Sequence, residues 1–442
     1  MNILLIGGGG REHAIAAAIK RSGGNLYSFM EFRNPGIARL SDDILISNNL
    51  NELLKWKHVR NGNIDFAIVG PEAPLEAGIV NSLQEIGIAC ASPSREAAQI
   101  ETSKKFMRDL MKKYNIPGYV ESHYFSDEND LISFMKDFEK EFAVKPVGLT
   151  GGKGVRVQGH HFSTREEGIK YAREVIKAGI GEGKGVLIEE KMEGEEYTLQ
   201  AFTDGKNLIP MPLVQDFKRA YENDEGPNTG GMGSYSMADH SLPFIDSSAL
   251  EKSKEILKMI IESMEREGIE YRGTIYGQFM LTKHGPKVIE INARFGDPEA
   301  MNVLSIFEGD FLKIIEGMAY GNLSLRYSKF SNLGTVVKYL VPPGYGSNPH
   351  GGEEFFVDEE GIRNSGAIFY YGSVDERNGK LYTTHSRTIA IVGIHEDLYE
   401  AEKIAENSIR FVKGNLYHRS DIGKRETILK KLKKMEEILK DP

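Results

Sequence analysis

A chain of 442 residues, 40% hydrophobic, 27% charged and carrying 48 glycines, has the composition of a loop-rich α/β protein rather than a fibrous or disordered one, and its length allows roughly three domains. Its formal net charge of −9 argues against nonspecific nucleic-acid binding, although a local basic pocket for phosphates fits inside an acidic protein. One cysteine, Cys90, excludes an internal disulfide framework, and no segment reaches the ~18 apolar residues of a membrane span, so a reducing, cytoplasmic setting with no membrane partner is expected. The apolar surroundings of Cys90, GIACASP, favour a buried structural thiol over a nucleophile. No basic stretch precedes the first apolar run, as an export signal would need.

The chain begins with the apolar run Ile3–Ile6, ended by glycine; Ile15, Ala18 and Ile19 then recur at helical spacing. GGGGREH (7–13) is therefore a turn between a strand and a helix. Free N–H groups and partial positive charge at a helix N-terminus suit a phosphate, and glycine lets the backbone approach it. The dinucleotide fingerprint G-x-G-x-x-G fails in both registers, because its last position falls on Glu12 or His13. A tight turn with no ligand is the alternative. The segment IDFAIVGPEAPLEAGIVNSLQEIGIACASPS reads strand, loop, helix, strand. Residues 1 to about 93 thus form a parallel sheet, with the loops 7–13 and VGPEAPL (69–75) facing one crevice beyond the strands' carboxyl ends.

Residues 94–116 read as helices ending before Ile116-Pro117. A helix around 128–140, a strand at 142–147, the loop GLTGGKG (148–154), a strand VRVQG, a helix around 164–178 and a strand at 185–192 form a two-layer module. The loop EGPNTGGMGSYS (225–236), a helix around 247–267 and the strand pair GTIYGQFMLT and PKVIEINARF follow. Strands and turns recur after about 330, before a tail, KRETILKKLKKMEEILK, whose paired charges read as a solvated helix face.

VIEINARFGDPEAMN (288–302) carries the most chemistry. Glu290 and Asn292 are two apart on a strand, so both point to one face and offer oxygen ligands of the kind Mg²⁺ takes. Gln278, on the preceding strand, adds a third oxygen if the register suits. Arg294 continues the row, and a guanidinium beside a metal neutralises a transferring phosphoryl group. The same alternation also fits a solvated strand face. GLTGGKG is not a P-loop, since Gly154 stands where Ser or Thr is needed; a glycine loop closing over phosphates is the other reading. Lys145, inside an otherwise apolar strand, needs an anionic partner. Backbone groups around Glu189–Met192 could read an adenine edge, with Glu196 accepting from ribose hydroxyls; for the glycine loop and for Lys145, a hairpin glycine and a surface lysine are the plainer explanations. His160 and His161, adjacent on a strand, would point to opposite faces, which argues against a shared metal.

Together these segments resemble the ATP-grasp ligases, and within them the phosphoribosylamine–glycine ligases of purine biosynthesis. The likeness runs nearly end to end, through GGGGREHA, VGPEAPL, SKKF (103–106), GLTGGKGV, IEEKMEGEE, GPNTGGMGSYS, RFGDPEAM (294–301) and SDIGKR (420–425). The resemblance implies an α/β fold in three parts. These are a pre-ATP-grasp parallel-sheet domain over 1–103, an ATP-grasp core over 104–329 with a lid subdomain at about 124–194, and a small mixed α/β C-terminal domain over 330–442. It further implies ligation of glycine to 5-phosphoribosylamine with ATP and Mg²⁺ or Mn²⁺, through glycyl phosphate, giving glycinamide ribonucleotide, ADP and phosphate. Partners would be these small molecules, with at most transient contact with other purine-pathway enzymes and no nucleic acid. The alternatives are another ATP-grasp carboxylate–amine ligase with a different substrate pair, and a nucleotide-binding regulatory protein without turnover.

Carried over position by position, the resemblance puts Lys104, Lys145, Gly152, Lys153 and Gly154 at the nucleotide phosphates, Glu189, Glu190 and Met192 around adenine, and Glu196 at ribose. Gln278, Glu290 and Asn292 would hold the metal. Gly9, Gly10 and Glu72 would hold phosphoribosylamine, a single phosphate with a ribose. Asp216, Asn228, Thr229, Gly230, Gly231 and Asp297 would line the substrate site with Arg294, the catalytic residue. Three departures stand out: Val147 where the family has an acid, Gly8 where many members have Asn, and Thr384–Arg387 (THSR) in place of a Gly-Gly-Arg turn.

Overall fold

The computed structural model describes residues 1–150, 154–181 and 183–440. Its first unit is a parallel sheet of β1 (Asn2–Ile6), β2 (Asn25–Met30), β3 (Asp43–Ile46), β4 (Phe66–Val69) and β5 (Ala89–Cys90), in the order β3-β2-β1-β4-β5. The apolar run in β1 is buried on both faces, as a central strand between covering helices must be. One of those helices, α1 (Gly10–Arg21), starts directly after the glycine turn. Strand order reverses between β1 and β4, so the loops at their carboxyl ends diverge and leave a crevice there. Cys90 is buried, and burial pushes its thiol up to about 12, which leaves it inert as a nucleophile.

A second unit pairs the strands Ser122–Phe125, Val186–Glu190, Phe142–Pro146 and Arg156–Val157 antiparallel. It has its own small core, in which Phe125, Leu131, Phe142, Phe162, Tyr171 and Ile188 pack together. Thr164 and Glu167 form a capping box that starts the helix Arg165–Ala178. His160 and His161 lie in a turn after the short strand, not on it, and the His161 ring accepts the Val157 N–H at 3.0 Å. Their placement therefore follows turn geometry rather than strand alternation.

The central sheet joins Leu208–Pro210, Glu195–Thr203, Gly273–Thr282 and Gly285–Asn292. The helix Ser247–Arg266 buries Ile256, Leu257, Ile260, Ile261 and Met264 beneath it, the amphipathic spacing expected of a covering helix. A last antiparallel sheet orders Gln215–Asp216, Gly233–Ser236, Gly334–Leu340, Ile389–His395 and Ile368–Tyr371, and so draws two of its strands from before residue 330. The tail helix Arg425–Lys440 is not wholly a solvated face. Ile428 and Met435 are buried, and Lys431 and Lys434 reach Glu195 at 3.2 and 2.8 Å. Among the described residues no helix is long and apolar enough to cross a membrane.

Candidate active site

The strand pair at the centre of the molecule sets the register that the metal reading requires. Gln278 stands opposite Glu290, and Tyr276 opposite Asn292, with a bulge after Gln278. Asn292 Nδ2 donates to Glu290 Oε1 at 3.3 Å. Gln278 Nε2 donates to Glu196 Oε2 at 2.6 Å, which leaves Gln278 Oε1 buried without a partner. Burial pushes the Glu290 carboxyl up, but the charges of Lys218 and Lys104 outweigh it and hold it below its usual value. One carboxylate, one amide and one orphaned amide oxygen fit a hard divalent cation that shares its remaining positions with water and phosphate. No group of three or more His, Cys, Asp or Glu among the described residues could hold a metal unaided.

The strand ends at Asn292, so Arg294 does not extend the row as strand geometry. It stays on the same side because Glu101 holds both the turn and the side chain. Glu101 Oε2 accepts the Ala293 N–H at 2.7 Å, and its Oε1 accepts from Arg294 Nη2 at 2.8 Å. Arg294 also donates to Phe295 O at 3.1 Å and to Asn292 Oδ1 at 3.4 Å, and its Nε lies 3.5 Å from Glu72 Oε2.

Beside this wall, Lys145 finds its anion in Glu189, at 2.6 Å. The Glu189 side chain is buried against this lysine. Glu190 pairs with Lys140 at 2.8 Å, and Met192 lies in the connection between the second unit and the central sheet. Lys104 Nζ donates to Gly148 O at 3.1 Å, and burial lowers its pKa against the charge of Glu290. Val147 contributes only backbone: its N–H donates to Gly185 O, and its carbonyl accepts the Lys104 N–H at 3.1 Å. Gly154 O accepts from Tyr171 Oη at 2.7 Å. Gly152 and Lys153 lie outside the described residues. Glu196 is half exposed, 3.7 Å from Lys218 Nζ.

The crevice of the first sheet meets the same wall through Glu72. Burial pushes the Glu72 carboxyl up, and the charges of Arg294 and Arg11 more than offset it. Gly9 caps α1 and donates its N–H to Glu12 Oε2 at 2.6 Å. At Gly10 a Cβ would lie 2.2 Å from Tyr339 Oη, so only glycine admits the C-terminal sheet this close to the helix start. Tyr339 Oη donates to Asp297 Oδ1 at 2.7 Å. Gly231 has φ +114, and a Cβ there would lie 2.8 Å from Asp216 Oδ1, so this glycine too is required. Thr229 Oγ1 donates to Lys218 O and accepts the Gly231 N–H, which shapes the loop that follows Asn228. Asp216 Oδ1 is buried with no partner, and burial and the Glu299 charge push that carboxyl well above its usual range.

Sequence reasoning missed the residue that closes the site. Arg387, inside the THSR departure, donates to Gly230 O at 2.6 Å, to Asp297 O at 2.6 Å and to Asp297 Oδ2 at 3.0 Å. The arginine of the expected turn is retained there, and that was the available signal. Glu101 was missed as well, with no local pattern to mark it.

Models of phosphoribosylglycinamide synthetase match the chain in three stretches: the N domain over residues 1–101, the ATP-grasp (A) domain over 102–300 and the C domain over 335–425. The phosphoribosylamine–glycine ligase of Methanocaldococcus jannaschii is 49% identical over 443 residues, covering 99% of this chain and 100% of that protein. That of Pyrococcus horikoshii is 48% identical over 441 residues, covering 100% and 99%. The crystal structure of phosphoribosylamine–glycine ligase from Thermotoga maritima superposes with a TM-score of 0.81 at 26% identity, covering 95% of this chain and 100% of that one. A biotin carboxylase–nucleotide complex from Campylobacter jejuni, at TM-score 0.69 and 14% identity over 98% of this chain and 95% of that one, shares the fold alone.

Proposed function

The chain belongs to the phosphoribosylglycinamide synthetase family, and on that premise we propose that its cleft joins glycine to 5-phosphoribosylamine with ATP, giving glycinamide ribonucleotide, ADP and phosphate. The observation that carries this reading is the convergence of two walls on Arg294. The ligand strand reaches it at Asn292, and the first sheet reaches it at Glu72, 3.5 Å away. In this reading residues 1–103, 104–329 with a lid at about 124–194, and 330–442 act as three parts around one reaction space, in a cytoplasmic enzyme.

A carboxylate is a poor acyl donor because oxide would have to leave. A glycine carboxylate oxygen therefore attacks the γ-phosphorus of ATP; the new O–P bond forms as the bond to ADP breaks, and glycyl phosphate results. The amine of phosphoribosylamine attacks the acyl carbon, the acyl C–O bond breaks, phosphate leaves and the nitrogen loses a proton. Lys104, Lys145, Gly152, Lys153 and Gly154 neutralise and cover the nucleotide phosphates. Backbone of Glu189, Glu190 and Met192 borders adenine, and Glu196 accepts from ribose. Gln278, Glu290 and Asn292 would hold Mg²⁺ or Mn²⁺, which when bound neutralises phosphate charge. Arg294 is the catalytic residue, its guanidinium fixed where charge develops on the transferring group. Gly9, Gly10 and Glu72 bind phosphoribosylamine, while Asp216, Asn228, Thr229, Gly230, Gly231 and Asp297 line the substrate site and exclude water from the acyl phosphate.

Release of ADP with ATP, glycine and freshly made phosphoribosylamine, each omitted in turn, tests the substrate pair. Glycine labelled with ¹⁸O in its carboxylate tests the intermediate. One labelled oxygen should enter inorganic phosphate in each turnover, and unlabelled phosphate would rule out glycyl phosphate.

A further inference from the structure

Behind the nucleotide wall lies a buried ion cluster of which one member has no role in the scheme above. Arg108 and Glu189 side chains are each 1% exposed, and Lys145 is 8% exposed. Arg108, on the helix Lys104–Lys113, donates from Nε and Nη2 to the two Glu189 oxygens at 2.6 and 3.0 Å. It also donates to Val288 O and Ile289 O, both at 3.0 Å, directly before Glu290 on the ligand strand. Lys145 Nζ takes Glu189 Oε2 from the other side at 2.6 Å. One anion thus sits between two cations, and the cluster keeps one positive charge in surplus.

We propose that Arg108 is a positioning residue for the nucleotide: by neutralising Glu189 it leaves the Lys145 ammonium free to meet a phosphate. The inference rests on the reading that Lys145 faces the nucleotide. Without the guanidinium, Glu189 and Lys145 would form a self-neutral buried pair in contact, and in a low-dielectric wall such a pair has little attraction left for an anion. Burial pushes the Glu189 carboxyl up, yet the charges and hydrogen bonds of Arg108 and Lys145 hold it at about 2, so the anion that needs neutralising is present at neutral pH. Arg108 does a second thing by the same contacts. It ties the lid strand Val186–Glu190 to the strand carrying Glu290.

Calorimetric titration of the full-length protein with MgADP separates this role from a packing role. Lys145→Met and Arg108→Met should each weaken ADP by about tenfold or more. In the double variant Arg108→Met/Glu189→Gln the carboxylate that would silence Lys145 is gone, and most of the lost affinity should return. A residue that only packs would give a double variant as weak as the single one or weaker, and that result overturns the proposal. If Lys145→Met binds ADP like the parent, the nucleotide placement falls and the proposal with it; if only Lys145→Met is weakened, the placement stands and the proposal alone falls. Should Arg108→Met not fold, Arg108→Lys carries the test. It keeps the charge without the fork and should stay within about threefold of the parent, whereas a loss as large as that of Lys145→Met would overturn the role.

Discussion

Lowering the pH tests the joint that supports the first glycine turn. His13 on α1 is buried, its ring stacked 6.1 Å from that of Tyr371 and edge-on to Tyr370 at 5.3 Å. Its Nδ1 accepts the Tyr371 N–H at 2.9 Å, so the neutral ring carries its proton on Nε2. A second proton would have to sit on Nδ1, facing another N–H. Burial lowers the ring's pKa from 6.5 to about 3, with the Glu359 charge opposing and the Arg39 charge adding to the shift. Because the folded value is the lower one, the unfolded chain binds more protons across that window, and stability is lost as pH falls from 6.5 toward 3. One such group costs about 1.4 kcal/mol at about pH 5.5 and about 2.7 kcal/mol at about pH 4.5. Urea unfolding of the parent and of His13→Gln, followed from neutral pH down to about 4.5, should show the parent losing this much more than the variant. His160 and His161, whose pKa values burial also lowers, contribute equally to both and cancel. Glu189 and Glu406, each held at about 2 against burial by neighbouring cations, lose their contribution only below the ordinary 4.5, outside the window. Parallel curves for the two proteins would refute a neutral, buried His13.

Glu290→Ala should abolish turnover while leaving the fold intact, because it removes the one charged ligand of the proposed metal site; normal activity at limiting Mg²⁺ would exclude that assignment. Gln278→Ala should be milder, since water can replace a neutral ligand. Arg294→Ala should lower kcat by ~10²-fold or more, and a rise in the KM for glycine alone would make Arg294 a ground-state carboxylate clamp instead. Gly10→Ala should cost about 1–3 kcal/mol in thermal or urea unfolding and raise the KM for phosphoribosylamine more than that for ATP, because its Cβ would meet Tyr339 Oη at 2.2 Å. Equal losses for both substrates would contradict the placement of that turn.

Elements with a strong local period were readable before any coordinates. The run Ile3–Ile6, the glycine turn and the α1 pattern all obey short-range rules, and so does the same-face placement of Glu290 and Asn292. Tertiary partners were not readable. Arg294 meets Glu101 across 193 positions and Arg387 meets Asp297 across 90, and no spacing rule says which distant carboxylate a given guanidinium will find. His160 and His161 show a second limit: a two-residue strand, Arg156–Val157, is too short for alternation to persist past its end. The tail helix shows a third. Its even charge pattern hid Lys431, whose side chain is only 13% exposed between Glu195 and Asp224.

The contacts around Arg294 explain why an arginine suits this position. A guanidinium carries five N–H donors in a fixed plane. Nη2 takes Glu101 and Asn292, and Nη1 takes Phe295 O, so three directions are committed to protein before any substrate arrives. Nε is buried without a hydrogen-bond partner, 3.5 Å from Glu72 Oε2. Nε and the second Nη1 hydrogen are the donors that make no hydrogen bond within the protein. A lysine could not divide its charge this way, because an ammonium satisfied by Glu101 would have no rigid second edge to present. The carboxylate behind the guanidinium thus holds it in place without using it up, and a fixed dipole that needs no reorganisation during reaction is what stabilises charge developing on a transferring phosphoryl group.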